Sequence, residues 1–422
     1  MNALRIRGGR RLMGEWKVHS AKNAVLPIMA AAILTQEKTT LLDCPELSDI
    51  GYMGEILEKL GCRVERTCGA MAIDPHGLCS HEMPDDLSKK IRSSIFLLGP
   101  ILARFRKAEV TFPGGCEIGL RPIDLHLSGL RQLGVEIREA GGIIFCDGRK
   151  MRAGSVHFDY PSVGATENVM MAAVLLPGET MISNAAREPE IVDLQRFLCR
   201  MGARVEGAGT DTIRIEGVLQ TKLHGITYHP MPDRIVAGTL LAAAAITGGS
   251  ICLKEVPCHD LGAVFSKLRE MGCTIACKAN TAVLHATGKL LAFEQLQTQP
   301  HPGFPTDMQV QMLALSTLAK GTSVIVENVF ENRFTHAGDL NRMGANVRVS
   351  GRTAVIKGVE RLYGARVSAR DLRGGAALAI AALAAEGETL IEHAELIDRG
   401  YERLEEMLCA LGADVCRTSL EP

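Results

Sequence analysis

Apolar and polar positions follow a pattern along the chain that returns six times. Each return contains a glycine that follows Leu or Met and precedes a short strand of alternating apolar and polar residues. These glycines are Gly61, Gly134, Gly202, Gly272, Gly344 and Gly412. The gaps between them are 73, 68, 70, 72 and 68 residues, and so even a spacing predicts six copies of one structural unit.

A run that is apolar on all sides opens each copy, which is typical of a buried helix. These runs are residues 26–34, 95–103, 169–176, 236–246, 310–319 and 376–384. A strand such as 40–42 and a helix with one polar face such as 50–60 follow, and the repeated glycine suits the left-handed end of that helix. The order predicts layered α/β units with helices inside and sheets outside.

The six copies form two groups of three, and 422 residues are too many for one compact core. Pro230 and Pro232 mark a hinge between the groups. We expect one domain at residues 22–230, carrying a loop around Cys116, and a second at 1–21 with 231–422. The strand before Ser20 is expected to pair with the second half, and the active site to lie in the cleft between the domains.

Charged side chains stand where the buried helices are predicted to begin. Lys22, Arg92 and Arg373 occupy such positions, although a cation there opposes the helix dipole at a cost of about 0.3–1 kcal/mol. A bound anion would remove the conflict, because helix N-termini themselves attract anions. The plainer interpretation is that Ser, Thr, Asp and Asn at these positions are N-caps.

The loop at 112–122 contains three glycines, two prolines and Cys116, five residues before Arg121. A neighbouring cation lowers the pKa of a thiol. The loop therefore indicates a reactive cysteine that could act as general acid or as nucleophile. A cysteine that merely lies in a loop is the alternative.

Composition narrows the class of protein. A formal net charge of −1 argues against a bulk polyanion such as DNA as partner. The 13 cysteines include no CxxC pair and no zinc-ligand spacing, as expected for free thiols in a reducing cytoplasm. No signal-peptide core and no apolar run near 20 residues is present, which predicts a soluble cytoplasmic protein.

Several segments together resemble the enolpyruvyl transferases, in particular the branch that acts on UDP-N-acetylglucosamine. They are residues 21–24, 113–116, 121–126, 162–166, 186–193, 304–309, 330–334, 371–373 and 397–402. The resemblance implies an α/β fold of two inside-out domains, each of three βαβαββ-like units. It also implies transfer of the enolpyruvyl group of phosphoenolpyruvate to the 3-hydroxyl of UDP-N-acetylglucosamine with release of phosphate. Neither a metal nor an organic cofactor is implied.

The resemblance also implies roles for individual residues. Cys116 matches the general acid or covalent nucleophile, which implies alkylation by fosfomycin, and Asp307 matches the acceptor of the hydroxyl proton. Cations on the phosphate side of the donor are matched by Lys22, Arg121 and Arg399. Other matches to substrate contacts are Asn23, Arg92, Pro122, Asp124, Leu125, Ser162, Val163, Gly164, Val329, Arg333, Asp371 and Arg373.

Two other functions stay open at this point. A shikimate-type enolpyruvyl transferase would share the fold and the donor, but the Pro-Gly-Gly-Cys loop at 113–116 argues against it. A non-catalytic paralogue that binds a UDP-sugar and regulates a partner would not need to retain Lys22, Cys116, Asp307 and Arg399. The reaction on UDP-N-acetylglucosamine that the resemblance implies would be the first committed step of peptidoglycan synthesis.

Overall fold

In the part of the chain that the structure describes, one βαβαββ-like repeat occurs six times, three times in each of two parts. The computed structural model describes residues 2–67, 69–114 and 123–419. Within these ranges, unit I comprises residues 20–231 and unit II residues 2–19 with 232–419. Each unit has its own cluster of buried apolar side chains. The predicted limits of 22–230 differ from this division by one or two residues.

Copy 5 presents the repeat in its simplest order. Its edge strand runs parallel to the central strand, which is antiparallel to the second hairpin strand, and the two hairpin strands are antiparallel to each other. In chain order the elements are the edge strand Gln295–Gln297, the interior helix Thr306–Ser316, the central strand Thr322–Val326, the outer helix Ala337–Arg342, and the hairpin strands Asn346–Ser350 and Thr353–Lys357.

Unit I contains copies 1 to 3. Copy 1 has Lys22–Ala31 with the 3₁₀ turn Ala32–Leu34, then Thr39–Leu42, Ser48–Lys59, Arg63–Thr67 and Ala70–Asp74. Copy 2 has the 3₁₀ segment Arg92–Leu97, Leu98–Phe105, Lys107–Thr111, Asp124–Gln132, Glu136–Ala140 and Ile143–Asp147. Copy 3 has Ser155–His157, Val163–Ala173, Glu179–Ser183, Pro189–Arg200, Arg204–Glu206 and Thr212–Glu216. The connections add Asp85–Ser88, the 3₁₀ turn Gln220–Lys222 and the strand Thr227–Tyr228.

Unit II contains copies 4 to 6, of which copy 5 is given above. Copy 4 has Arg234–Thr247, Ser250–Lys254, the 3₁₀ segment Cys258–Leu261, Gly262–Glu270, Thr274–Lys278 and Thr281–His285. Copy 6 has Arg366–Ser368, Leu372–Ala384, Glu388–Glu392, the 3₁₀ segment Ala394–Arg399, Leu404–Ala410 and Asp414–Ser419. The strands Asn2–Arg7 and Met13–Lys17 also belong to unit II, although they precede unit I in the sequence.

The first two strands of the chain complete copies that lie far away in sequence. Asn2–Arg7 lies between Glu388–Glu392 and Asp414–Ser419, antiparallel to both, and so forms the last strand of copy 6. Met13–Lys17 runs parallel to Ser250–Lys254 as the edge strand of copy 4. The expected pairing of the N-terminal strand with the second half is therefore confirmed.

Unit I is inserted into copy 4, between its edge strand and its interior helix. The edge strand of copy 1 is in turn supplied by Thr227–Tyr228, at the end of unit I, which runs parallel to Thr39–Leu42. Copy 2 has only a single parallel bridge, between Glu82 and Glu109, where the other copies have an edge strand.

The six repeated glycines have the backbone conformation that the sequence predicts. Their φ angles are 104°, 91°, 103°, 95°, 94° and 93° in chain order, in the region that favours glycine. Each follows an outer helix and turns the chain into the hairpin. This conformation accounts for the regular return of glycine.

The interior helices are buried on all sides, as predicted; every residue of Arg234–Thr247 except the last is buried. Copy 2 departs from the predicted helix at 95–103, because its first turns form a 3₁₀ segment. Pro100 lacks an N–H, and the Gly99 N–H donates instead to the Asn168 side chain over 2.8 Å, so the α-helical ladder is interrupted here. None of the helices in the described ranges has both the length and the apolar composition to cross a bilayer.

Candidate active site

A carboxylate held by two buried guanidinium groups forms the centre of the candidate site in unit II. Asp307 lies in the first turn of the interior helix Thr306–Ser316. Its Oδ1 accepts a hydrogen bond from Arg333 Nη2 at 2.5 Å, and its Oδ2 accepts from Arg373 Nη2 at 3.1 Å. The side chains of Arg333 and Arg373 are 2% and 3% exposed, whereas that of Asp307 is 27% exposed. The carboxylate is therefore fixed in orientation and still reached by solvent.

Glu327 connects the two elements that carry Asp307 and Arg333. Its fully buried carboxylate accepts hydrogen bonds from the hydroxyls of Thr298 and Thr306 at 2.8 and 2.9 Å. It also accepts from the backbone N–H groups of Val329 and Phe330 at 2.8 and 3.1 Å. One side chain thus joins the start of the helix that carries Asp307 to the loop that leads to Arg333.

Arg373 is positioned by its own helix start. Asp371 caps the helix Leu372–Ala384, because its Oδ1 accepts from the N–H groups of Arg373 and Gly374 at 3.0 Å each. The guanidinium carbon lies 5.2 Å from the centre of the Tyr401 ring. Burial lowers the pKa of Arg373, but Tyr401, Asp307 and Asp233 outweigh it and raise that pKa above its ordinary value, so the charge is retained.

His336 is a buried neutral group beside the same cluster. Burial lowers the pKa of His336 to about 4, with Arg333 acting in the same direction and Asp371 against it. Neither ring nitrogen has a hydrogen-bond partner among the described residues. The uncharged imidazole therefore adds no charge to the cluster.

Arg399 ends the 3₁₀ segment Ala394–Arg399, and the residue before it is tied to the last strand of the chain. The Arg417 guanidinium donates to both oxygens of Asp398 at 2.8 and 2.7 Å and to both oxygens of Glu405 at 2.7 and 3.0 Å. Such two-point contacts restrict the orientation of both partners. Arg417 therefore restrains the side chain of Asp398, the residue directly before Arg399.

In unit I the cation at the start of the first interior helix has a partner from the outer layer. Lys22 Nζ lies 2.6 Å from Oδ2 of Asp49, which belongs to the outer helix Ser48–Lys59, and both side chains are almost fully buried. The sequence argument expected a bound anion to compensate such cations. In the structure a protein carboxylate lies beside two of these cations, because Asp49 pairs with Lys22 and Asp307 pairs with Arg373.

The other predicted residues of unit I lie at helix starts. Arg92 begins its 3₁₀ segment and is half-buried, and Asp124 and Leu125 begin the helix Asp124–Gln132. Asn23 follows Lys22 and is exposed. Ser162 precedes Val163 and Gly164 and caps their helix, since its Oγ accepts from the Ala165 N–H at 3.4 Å.

The N-cap interpretation holds at only some helix starts. Ser162, Asp233 and Asp371 accept hydrogen bonds from the N–H groups of the helices that follow them. At the starts of copies 1, 2 and 5 the corresponding residues are Ala21, Ile91 and Pro305, with no side-chain cap. Capping therefore explains three of the six polar helix starts.

Cys116, Arg121 and Pro122 lie outside the described residues. The described chain before them ends at Gly114, which packs against the backbone of Lys89. A Cβ on Gly114 would lie 1.7 Å from the Lys89 carbonyl oxygen, so no other residue fits without a shift of the backbone.

Glu167, in the third interior helix of unit I, is a fully buried carboxyl group. Both oxygens lack a hydrogen-bond partner among the described residues. Burial raises the pKa of Glu167 well above its ordinary value, and Glu190 and Glu188 raise it further. The group is therefore expected to carry its proton over much of the pH range in which a free glutamate is charged.

Four residues of these sites were not singled out from the sequence: Asp49, Glu327, His336 and Arg417. Asp49, Glu327 and His336 are polar groups that become buried only in the folded chain, and no spacing indicates their partners. Arg417 lies in a strand with ordinary alternation. A position close to a resembling segment, as for His336 just after 330–334, is the nearest signal that could have found any of them.

One group in the described part of the chain could hold a metal ion by its geometry. Ligand atoms of His81, Glu82 and Glu109 lie within 4.8 Å of one another. Lys107 Nζ already lies 2.7 Å from Oε1 of Glu109. None of the predicted site residues belongs to this group.

Comparison with known proteins adds the family. The family model described as EPSP synthase (3-phosphoshikimate 1-carboxyvinyltransferase) matches residues 6–408. A relative from Caldanaerobacter subterraneus subsp. tengcongensis, named UDP-N-acetylglucosamine 1-carboxyvinyltransferase 2, is 50% identical over 99% of this chain and 100% of its own length. A relative from Symbiobacterium thermophilum, named UDP-N-acetylglucosamine 1-carboxyvinyltransferase 1, is 52% identical over 98% of this chain and 94% of its own.

Solved structures agree with the fold. The enolpyruvyl transferase NikO from Streptomyces tendae has a TM-score of 0.90 at 25% identity, covering 100% of this chain and 99% of that one. EPSP synthase from Acinetobacter baumannii has a TM-score of 0.76 at 18% identity, covering 99% of this chain and 100% of that one. The prediction of two α/β domains of repeated βαβαββ units is confirmed at the level of the fold.

Proposed function

The chain belongs to the EPSP synthase family of enolpyruvyl transferases, and from this premise we propose that it acts on UDP-N-acetylglucosamine. The reaction transfers the enolpyruvyl group of phosphoenolpyruvate to the 3-hydroxyl of the sugar and releases phosphate. The observation that carries the proposal is identity near 50% over almost the whole chain with relatives that are named for this activity.

The cations of the candidate site suit the donor. Phosphoenolpyruvate has a phosphate and a carboxylate on adjacent positions, and guanidinium groups bind both kinds of oxyanion at two points. We assign Lys22, Arg121 and Arg399 to the phosphate side, and Arg92, Arg333 and Arg373 to further substrate anions. The deep burial of Lys22, Arg333 and Arg373 supports this, because charge interactions are stronger where water is excluded.

Asp307 is assigned as the acceptor of the proton from the sugar hydroxyl. Each carboxylate oxygen has two lone pairs, so an oxygen that accepts from Arg333 or Arg373 can still accept a proton. The two guanidinium groups keep the carboxylate in one orientation during that transfer. We assign Asp371 to holding the helix that carries Arg373.

Cys116 is assigned one of two roles: it protonates the methylene carbon of the donor, or it forms a covalent adduct with the donor. Addition of the hydroxyl to the neighbouring carbon gives a tetrahedral intermediate. Loss of phosphate together with a proton from the new methyl group then restores the double bond and gives the product. Asn23 and Asp307 are assigned to the sugar, and Arg121, Ser162, Val163 and Gly164 to the uridine diphosphate. Further assigned substrate contacts are Pro122, Asp124, Leu125 and Val329.

The proposal extends to the place of the reaction in the cell. An enolpyruvyl ether of UDP-N-acetylglucosamine is the product of the first committed step of peptidoglycan synthesis, which we propose takes place in the cytoplasm. Alkylation of Cys116 by the epoxide fosfomycin would then stop the reaction.

Phosphate release from phosphoenolpyruvate tests the function directly. We expect release with UDP-N-acetylglucosamine as acceptor and none with shikimate 3-phosphate. Release with shikimate 3-phosphate alone would identify the other branch of the family. Release with neither acceptor would support a binding protein instead.

The variant Cys116→Ser tests the assigned thiol. We expect turnover to fall by at least about a hundredfold, the ordinary contribution of a proton-transfer group, and fosfomycin to lose its effect. Steady-state rates with and without the drug measure both. Full turnover in the variant would remove Cys116 from the mechanism.

A further inference from the structure

Two cysteines meet at one end of the sheet of copy 4. Cys258 begins the 3₁₀ segment that leads into the outer helix, and Cys277 lies in the first hairpin strand. The Cys277 thiol is one of the groups that raise the pKa of Cys258. Cys258 Sγ also lies 3.8 Å from the carbonyl oxygen of Thr281, in the second hairpin strand. Both thiols are free and at least partly accessible, Cys277 being the more exposed.

Strand register explains why Cys277 points towards Cys258. Cys277 lies two residues after the buried Ile275, and therefore on the same face of the strand. Its partner in the hairpin is Ala282, which is fully buried. The outer helix Gly262–Glu270, which follows the segment that begins at Cys258, contacts this strand.

The backbone holds the two thiols in place. The Val256 N–H donates to the Asn280 carbonyl at 2.8 Å, and the Cys258 N–H donates to the Val256 carbonyl at 2.8 Å. The segment before Cys258 is thus fastened to the hairpin turn. A disulfide requires the sulfur atoms to approach to about 2.05 Å, and with the segment fastened to the hairpin we expect side-chain rotation to supply this approach.

We propose that Cys258 and Cys277 form a reversible oxidation site, which a low-molecular-weight disulfide such as oxidised glutathione closes into a protein disulfide. The Cys277 thiolate attacks one sulfur of the oxidant and releases one glutathione thiolate. Cys258 then loses its proton to solvent, attacks Cys277 Sγ in the mixed disulfide and releases the second glutathione. Two protein thiols are oxidised, and one disulfide is reduced to two thiols.

The order of these steps follows from exposure and acidity. Cys277 is the exposed thiol and is open to a bulky oxidant. Burial raises the pKa of Cys258 to about 12, with the Cys277 thiol acting in the same direction. A thiol of such high pKa is a poor first nucleophile, but it can resolve a mixed disulfide that forms beside it.

A second cysteine pair offers a control within the same chain. Cys62 and Cys79 are 17 positions apart (79 minus 62), against 19 for the proposed pair (277 minus 258). The Cys79 thiol donates to the Leu60 carbonyl at 3.9 Å, and Cys62 is buried. We expect this pair to stay reduced where the Cys258–Cys277 pair is oxidised.

Peptide mapping of the full chain tests the proposal. The protein is equilibrated in buffers of reduced and oxidised glutathione, its free thiols are blocked with a maleimide, and its peptides are analysed by mass spectrometry. We expect a linked peptide pair containing Cys258 and Cys277, and no link between Cys62 and Cys79. A stable glutathione adduct on Cys277 without the link, or no reaction of either thiol, would overturn the proposal.

Serine variants separate the two steps. In Cys258→Ser we expect the glutathione adduct on Cys277 to accumulate, and in Cys277→Ser we expect Cys258 to stay unmodified. Equal modification of the remaining thiol in both variants would contradict the assigned order. Oxidation is expected to raise the thermal midpoint of the wild type by roughly 5–10 °C and that of neither variant, while phosphate release stays unchanged in both.

Discussion

The two units place a cation at the start of an interior helix, and they compensate it in different ways. In unit I, Lys22 pairs with Asp49, which lies on the outer helix of the same copy. In unit II, Arg373 of copy 6 pairs with Asp307 of copy 5, which also accepts from Arg333. The unit I pair joins two layers of one copy, whereas Asp307 joins two interior helices of neighbouring copies.

This difference indicates which of the two ion pairs takes part in the reaction and which one mainly contributes to stability. A carboxylate that is held by two guanidinium groups and is still reached by solvent can take part in a reaction. A nearly buried pair such as Lys22 with Asp49 chiefly fixes its cation, and its disruption leaves a buried charge behind. The first three variants below separate these two roles, and the fourth compares the interiors of the units.

The largest expected effect is that of Asp307→Ala. Loss of the shared carboxylate removes the assigned proton acceptor, so we expect kcat to fall by about 10²–10⁴, with substrates still bound. Steady-state kinetics measure the loss, and isothermal titration with the nucleotide sugar measures binding. The surface variant Asp414→Ala, which removes an exposed pair with Arg10, serves as control, and near-normal turnover of Asp307→Ala would defeat the base assignment.

Asp49→Asn should act mainly on stability. The change keeps the shape of the side chain but leaves the Lys22 ammonium without its carboxylate, and we expect the free energy of unfolding to fall by roughly 3 kcal/mol. Urea unfolding measures it. The matched control is Asp85→Asn, whose partner Lys89 is exposed and whose loss should cost under about 0.5 kcal/mol. Equal effects of both variants would contradict the distinction between the two pairs.

Arg417→Lys tests support from the outer layer of unit II. A lysine cannot reproduce the four hydrogen bonds to Asp398 and Glu405, so we expect Arg399 to be less well positioned and kcat/KM to fall about tenfold, or about 1.4 kcal/mol. Arg366→Lys, at an exposed pair with Glu392, is the control. A loss of thermal stability with unchanged kcat/KM would reduce Arg417 to a structural role.

Glu167→Gln should have the smallest effect, and it compares the interiors of the units. The corresponding interior of unit II holds a neutral network, in which the Gln311 amide donates to Thr239 at 3.0 Å and Thr239 lies 3.0 Å from the Tyr401 hydroxyl. Because folding raises the pKa of Glu167, its contribution to stability is full below its unfolded pKa and is lost as pH rises towards the folded value.

The thermal midpoints of wild type and Glu167→Gln at pH 5 and pH 8 measure this loss. Between pH 5 and pH 8 we expect the thermal midpoint of the wild type to fall by a few degrees more than that of the variant. This difference corresponds to about 1 kcal/mol in the free energy of unfolding. Parallel pH profiles would show that Glu167 titrates alike in the folded and unfolded chain.

Much of the fold could be predicted from the sequence because its signals are local. The left-handed glycines such as Gly61 and the all-apolar runs depend on residues near one another in the chain, and both predictions are confirmed. Helix starts were predicted too late in places, as at Val163, because residues 166–168 of that interior helix are polar. The 3₁₀ start of copy 2 depends on Asn168, which is 69 residues from Gly99.

Only those residues of the candidate site that the resemblance or the residue type indicates could be predicted from the sequence. Lys22, Asp307, Arg333 and Arg373 were named in advance. The partner Asp49 was not named, and the pairing of Asp307 with the two arginines was not predicted, because each partner comes from another element. Asp49 and Glu327 look like surface acids in the sequence, and only the fold buries them. The roles of Cys116, Arg121 and Pro122 stay predictions, since these residues lie outside the described ranges.

The strand Asn2–Arg7, placed in the middle of the sheet of copy 6, has a consequence for synthesis on the ribosome. Residue 388, the first of its partners to be made, comes 381 positions after Arg7 (388 minus 7). At about 5–20 residues per second, translation of that interval takes about 20–80 s. Unit I can fold during this time, while the strand Asn2–Arg7 stays unpaired until its partners have been made. A ribosome that stalls near the 3′ end of the message would therefore leave this strand unpaired for chaperones to bind.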